Sequence, residues 1–333
     1  MSCETDRRVG LFLATRDSTN LISRAESMGF DSVWAGEGQG KSAFGKLERW
    51  AAATESINLA TGIVNVFSRS PAALAQSIAT LDDHSCGRAI LGLGVAHPGV
   101  VESFHGMAFD RPLARMAEYI DLVRRYLRGR AESFEGDFFS PSRTSFWDAF
   151  EPERAEIPIY NAALGSSNVR LTGAKADGWL PNFYPLDQFD TAQSWLAAGA
   201  ERADRDVAAI DVAMYIPAAV HEDEDAARTA AAEHIAYYCR EIPGYYDRVA
   251  ANAGFEGDIA AIRGADSQAK AVAEVSPEFI EAIALVGNIS EVAEELESLR
   301  ASGVDLPIIR APAGTDEAWL DRAMQAASRF QGH

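Results

Sequence analysis

Short apolar runs alternate with stretches whose apolar residues recur every three or four positions. The runs predict strands at 9–13, 32–34, 57–65, 89–93, 157–161, 178–182, 211–218 and 306–311. Between them lie amphipathic helices. In Pro112–Leu127, Leu113, Met116, Ile120, Val123 and Leu127 form one apolar stripe. Pro112 suits the first helical turn, and Asp110 just before it favours the positive end of the helix dipole.

Two helix-to-strand joints repeat one device. Gly29 precedes Phe30-Asp31 and the second strand; Gly303 precedes Val304-Asp305 and the last. A glycine there ends a helix in the left-handed conformation, and the next apolar residue caps it. Strands alternating with helices read as a parallel sheet covered by helices. The expected fold is α/β, a (β/α)8 TIM barrel, with a doubly wound open sheet as the competitor. The connections at 128–156 and 221–281 are too long for simple turns and read as insertions into a single domain spanning 1–333.

Charge narrows the partners. With Lys+Arg 30 against Asp+Glu 49, the net charge is −19. Such a surface repels phosphate backbones and anionic lipid, so nucleic-acid and membrane binding are not expected. The N-terminal MSCETDRRVGLFLA lacks a signal peptide's apolar core, and no apolar run is long enough to span a bilayer. Cys3, Cys86 and Cys239 stand alone, without a CxxC, which argues against a disulfide framework or a zinc knuckle. A cytoplasmic enzyme-sized globule is the expectation.

Several chemistries fall away. Gly92-Leu93-Gly94 would need a third glycine at position 97 for a dinucleotide fingerprint, and His97 stands there. Walker, GxSxG and HExxH motifs are absent. None of Lys41, Lys46, Lys175 and Lys270 lies in a predicted strand, which disfavours imine chemistry. Glu37 is almost alone as a carboxylate at a strand end, so no catalytic metal is expected. The strand ends carry instead Asn65, Asn161, Asn182 and Tyr184 among glycines. Such a mouth suits a large planar organic cofactor.

Three strings then resemble the bacterial luciferase-like superfamily, in the branch that uses the deazaflavin coenzyme F420. They are Thr61-Gly62-Ile63-Val64-Asn65-Val66-Phe67-Ser68-Arg69-Ser70-Pro71, Gly87-Arg88-Ala89-Ile90-Leu91-Gly92-Leu93-Gly94, and Asn161-Ala162-Ala163-Leu164-Gly165-Ser166-Ser167. Ala79-Thr80-Leu81-Asp82 and Phe109-Asp110-Arg111-Pro112 continue the match. The downstream half, with Ile210-Asp211-Val212-Ala213 and Val286-Gly287, is similar to 5,10-methylenetetrahydromethanopterin reductases. The first half departs from them. Their first strand usually carries a glutamate where this chain has Gly10-Leu11-Phe12-Leu13, and their Asp-His after the second strand is Glu37-Gly38 here.

The resemblance implies a luciferase-like barrel and a hydride-transferring oxidoreductase, with a reduced pterin of the methanopterin or folate type as its first substrate. An FMN-dependent monooxygenase and a non-catalytic flavin- or deazaflavin-binding protein are the other readings. A small-molecule substrate and a homo-oligomer are the expected partners. The resemblance also implies a non-prolyl cis peptide at Gly62-Ile63 behind the cofactor ring; the plain reading is a bulge glycine. It gives Gly165, Ser166 and Ser167 to the cofactor phosphate, against a simple N-cap serine. Gly94, Val95, Ala96 and His97 would let backbone amides approach the cofactor, or form a tight surface loop. Asn65 would bond the ring edge, or cap the loop before Pro71. Glu37 is the candidate catalytic acid, which needs a raised pKa, or a solvated loop carboxylate. His105, Trp34 and Trp179 read as structural.

Overall fold

The computed structural model describes residues 7–14, 16–38, 40–129, 133–142, 150–242 and 244–332. Its strands are β1 (Gly10–Phe12), β2 (Ser32–Ala35), β3 (Asn58–Thr61), β4 (Val64–Asn65), β5 (Ala89–Gly94), β6 (Ile159–Asn161), β7 (Gly178–Trp179), β8 (Asp211–Val220), β9 (Leu285–Gly287) and β10 (Leu306–Arg310). All pair in parallel, in the order β1, β2, β3, β5, β6, β7, β8, β10. β10 pairs with both β8 and β1, which closes the barrel. The open-sheet alternative is thereby excluded.

Every predicted strand has its counterpart. The third is broken in two: Gly62 and Ile63 interrupt it, and β4 resumes beside β5 through Val64–Leu93 and Asn65–Gly94. β9 was not expected. It pairs with the far end of β8, at Ala218–Val220, beyond the segment that pairs with β10.

The pleat sorts the residues into two cores. Trp34, Ala60, Ile90, Tyr160, Leu180, Ala213, Tyr215, Leu306 and Ile308 fill the barrel interior. Their strand neighbours Val33, Ala35, Met214, Ile216 and Ile309 face the helices. The helices are α1 (Thr19–Ser27), α2 (Ala43–Ala51), α3 (Pro71–His84), α4 (Pro112–Leu127), α5 (Ser166–Lys175) and α6 (Phe189–Arg202), then α12 (Ile289–Ala301) and α13 (Glu317–Gln331) near the C-terminus. α4 has the bounds its apolar stripe predicts. Gly29 at φ 80° and Gly303 at φ 100° take the left-handed conformation expected of them.

Between β8 and β9 the chain folds α7 (Glu224–Glu241), α8 (Tyr246–Ala250), α9 (Glu256–Gly264), α10 (Gln268–Ala273) and α11 (Pro277–Ile283). These helices build a separate apolar cluster with Phe183 and Ala219 of the barrel. The other long connection, 128–156, lies partly outside the described residues. Its end is anchored by Arg154, which donates to the fully buried Asp82 carboxylate of α3 (Nε–Oδ2 2.9 Å). No helix among the described residues is long and apolar enough to cross a membrane.

Candidate functional site

A cavity of about 860 Å³ opens over the C-terminal ends of the strands, the face on which parallel barrels carry their sites. Glu37, Gly62, Ile63, Asn65, Gly94, Val95, Ala96, His97, Gly165, Ser166 and Ser167 all line it. Residues scattered over 131 positions of sequence thus meet because consecutive strands end side by side.

The Gly62-Ile63 peptide is cis, as the resemblance implies. Gly62 must be glycine for a reason of space: a Cβ there would overlap the Tyr215 hydroxyl and press on Trp34. At Gly94 a Cβ would lie 2.7 Å from Ile63 Cδ1, so glycine here lets the Ile63 side chain lie flat against β5. Ala96 sits at φ 55° in the turn that leaves β5. His97 lines this turn, and burial lowers its pKa, so it is neutral near pH 7.

Gly165 is the N-cap of α5, and Ser166 and Ser167 are its first two residues. The N–H groups of a first helical turn have no partner within the helix. Asn161 fixes this end: its Nδ2 donates to Asn168 Oδ1 and Thr172 Oγ1, both at 2.9 Å, while Asn168 Nδ2 donates to Ala162 O. Asn161 is therefore a buried brace rather than a group at the mouth. Tyr184, expected at the mouth, is also buried, packed edge-on against Trp179. Trp34 and Trp179 are core residues, as expected.

Two assignments meet contacts that the sequence did not show. Burial alone would raise the Glu37 pKa. Hydrogen bonds from Arg69 and from the Ala43 N–H, with the guanidinium charge, outweigh it and hold the pKa below the ordinary glutamate value. Arg69 Nη2 lies 3.0 Å from Oε2, Nη1 bonds Oε1, and Ala43 N lies 2.9 Å from Oε2. An acid role needs a raised pKa, and the shift here runs the other way. Asn65 spends its Oδ1 on the Phe67 and Ser68 N–H groups at 2.9 and 2.8 Å. That is the loop-capping reading; only its Nδ2 remains, 3.3 Å from His105 Nε2.

Of the opposite wall, only Asn182 was singled out. Asn182 Nδ2 reaches the hydroxyls of Tyr238 (3.3 Å) and Tyr246 (3.2 Å), and Arg310 Nη1 donates to Tyr238 at 2.8 Å. Phe183, at φ 52°, turns the chain after β7 and stacks on Tyr238 with centroids 4.8 Å apart. Arginine at the end of an otherwise apolar last strand was the available signal. The two tyrosines carried none, because only the packing of α7 and α8 brings them to the barrel.

A closed parallel barrel with its chamber above the strand ends, walled by a bulge after β3, a glycine turn after β5 and a helix N-terminus after β6, defines a class of ligand-binding barrel protein. Within it, the chain belongs to the luciferase-like monooxygenase family, whose sequence model matches residues 7–306. A protein of Mycobacterium tuberculosis named as a coenzyme F420-dependent oxidoreductase is 30% identical, over 92% of this chain and 94% of its own. The 5,10-methylenetetrahydromethanopterin reductase of Methanolobus tindarius is 30% identical, over 88% and 89%. The solved coenzyme F420-dependent tetrahydromethanopterin reductase of Methanopyrus kandleri superposes with a TM-score of 0.80 at 27% identity, covering 97% of each chain.

Proposed function

We propose that the protein is a coenzyme F420-dependent oxidoreductase that moves hydride between the deazaflavin and a small organic substrate, a methylene-tetrahydropterin of the methanopterin or folate type being the first candidate. The convergence of the Gly62–Ile63 bulge, the Gly94–His97 turn and the α5 N-terminus on one cavity carries this reading. The relatives named above support the cofactor. The same reading takes the chain as one barrel domain with inserted segments, working as a homo-oligomer in the cytoplasm.

The residues present fit such a group. Glycines at 62 and 94 let the bulge and Ile63 pack tightly against Tyr215 and β5, where a Cβ would collide. Ile63 offers an apolar surface packed on the barrel interior. The backbone N–H groups and hydroxyls of Ser166 and Ser167 would bind a phosphate at the positive end of α5. A bound deazaflavin supplies a ring carbon that accepts or gives hydride. The chain's own tasks are to hold that ring, place the substrate over it and exclude water. Glu37 keeps the β2 side of the wall in place through Arg69. Any proton for the substrate comes from water or from a group that keeps its proton, such as Tyr246, whose phenol pKa burial raises.

The test is titration of the purified protein with F420 and with FMN, followed by tryptophan fluorescence, then turnover of a substrate panel with reduced F420. Saturable F420 binding without FMN binding is expected. The reverse preference assigns the protein to the FMN-dependent monooxygenases. Replacing Ser166 and Ser167 together by alanine should weaken F420 binding at least about tenfold, since each charge-assisted bond contributes roughly 1.5–3 kcal/mol. Unchanged affinity would move the phosphate away from α5.

A further inference from the structure

The wall opposite the proposed cofactor cradle carries a cation without a counter-charge. Arg310 ends β10 and lines the cavity. Its guanidinium lies 5.0 Å from the Phe12 ring centre and 5.8 Å from that of Tyr238. Among the described residues, Nη1 alone of its nitrogens has a hydrogen-bond partner, the Tyr238 hydroxyl, and Nε is buried with none. No carboxylate lies within ion-pair distance of it among the described residues. On the neighbouring strand the buried Tyr215 hydroxyl is also without a partner. It lies in the same nest, its ring 4.9 Å from that of Phe12.

A half-buried cation with no carboxylate beside it is unexpected in a chain of net charge −19. Two aromatic rings and a phenol orient this guanidinium without neutralising it. The other charged side chains lining the cavity are Glu37, which is already paired with Arg69, and Glu241 and Arg248, both exposed. Arg310 is thus the half-buried charge that the cavity presents to its contents, Glu241 and Arg248 standing at its exposed rim.

We propose that Arg310 anchors the substrate through a carboxylate borne on a planar, aromatic body, the rings of Phe12, Tyr238 and Tyr246 forming the apolar walls around that body. A guanidinium matches a carboxylate edge with parallel hydrogen bonds. One half-buried cation beside neutral Asn182 and the tyrosines suits one negative charge better than a phosphate dianion. This assignment rests on the cavity being the shared cofactor and substrate chamber.

Calorimetric titration with benzoate, its uncharged counterpart benzamide, and phenyl phosphate tests it without turnover. Benzoate should bind at least about tenfold tighter than benzamide, and Arg310→Gln should cost benzoate about tenfold or more while moving benzamide by less than about threefold. Arg310→Lys keeps the charge and should retain part of the benzoate affinity; it decides the matter if the glutamine variant fails to fold. Equal affinity for benzoate and benzamide, or benzoate binding that neither substitution affects, overturns the proposal. Tighter binding of phenyl phosphate, lost in Arg310→Gln, replaces the carboxylate by a phosphate and overturns it too. F420 affinity should be the same in all three proteins. A parallel fall would place Arg310 in the cofactor cradle instead. If F420 fails to bind even the unaltered protein while benzoate behaves as expected, the cofactor reading falls and the carboxylate site stands.

Discussion

The Arg69 guanidinium and the Ala43 N–H bond the Glu37 carboxylate and favour its charged form. The pair is largely buried, with the Glu37 and Arg69 side chains 17% and 24% exposed. Glu37→Gln should therefore leave the alkaline limb of the pH–rate profile in place and change turnover only a few-fold. Loss of that limb would return the acid role to Glu37. The same substitution should cost roughly 1–3 kcal/mol in urea unfolding at neutral pH. The folded pKa is depressed, so this contribution is fully present above the unfolded carboxyl value of about 4.3 and fades as pH falls through the lower folded value. The difference between the two proteins should shrink across that acid window. A second buried residue with a single anchoring task is Lys46, whose ammonium donates to Ala14 O (2.8 Å) and Gly36 O (2.9 Å) and ties the ends of β1 and β2 together.

Among the elements, the β9–α12 corner holds an opposite electrostatic case. Asn288 and Glu291 form a reciprocal cap at the start of α12. One turn on, Glu295 accepts the Val286 N–H at 3.0 Å. Its pKa is pushed up to about 7, chiefly by burial, with Glu291 and Glu281 adding to the rise and the Val286 bond opposing it. With the folded value above the unfolded one, its contribution is fully present below about pH 4.3 and is lost as pH rises through about 7. Glu295→Gln keeps an acceptor for Val286 and removes the charge. Melting temperatures of the two proteins should diverge as pH rises through that window, with the variant the more stable at alkaline pH. Parallel curves would mean that Glu295 is solvated and titrates normally.

At the scale of the molecule, the chamber has two owners. The barrel strands and α5 supply one wall, and the helices between β8 and β9 supply the other. Their separate apolar cluster decides how firmly Tyr238 and Tyr246 stand. Phe279 is its fully buried centre, stacked on Phe255 at 4.4 Å and edge-on to Phe183 at 6.1 Å. Phe279→Ala should cost about 3–5 kcal/mol. Because Phe183 supports Tyr238, it should also weaken benzoate binding more than F420 binding. Equal losses for both ligands would mean that the cluster steadies the whole barrel rather than one wall.

The parts readable in the chain were those encoded over a few residues. Short apolar runs, the α4 stripe, Gly29 and Gly303 at helix ends, and the strings around Gly62, Gly94 and Gly165 each carry their signal locally. They delimit the barrel strands and all the residues proposed for the cofactor side of the cavity. Even the break in the third strand was foreshadowed by its glycine. What could not be read was pairing across distance. Glu37 and Arg69 are 32 positions apart, and their ion pair reversed the expected protonation of the carboxylate. Asn65 and Asn161 look equally polar in sequence, yet loop N–H groups take the Oδ1 of one and α5 side chains take the Nδ2 of the other. Arg310 meets Tyr238 across 72 positions, through an inserted helix whose docking no short pattern specifies. A side chain's charge state and free valences depend on its burial and on the groups that burial brings near. Those are properties of the packed barrel, not of the residues flanking it in the chain.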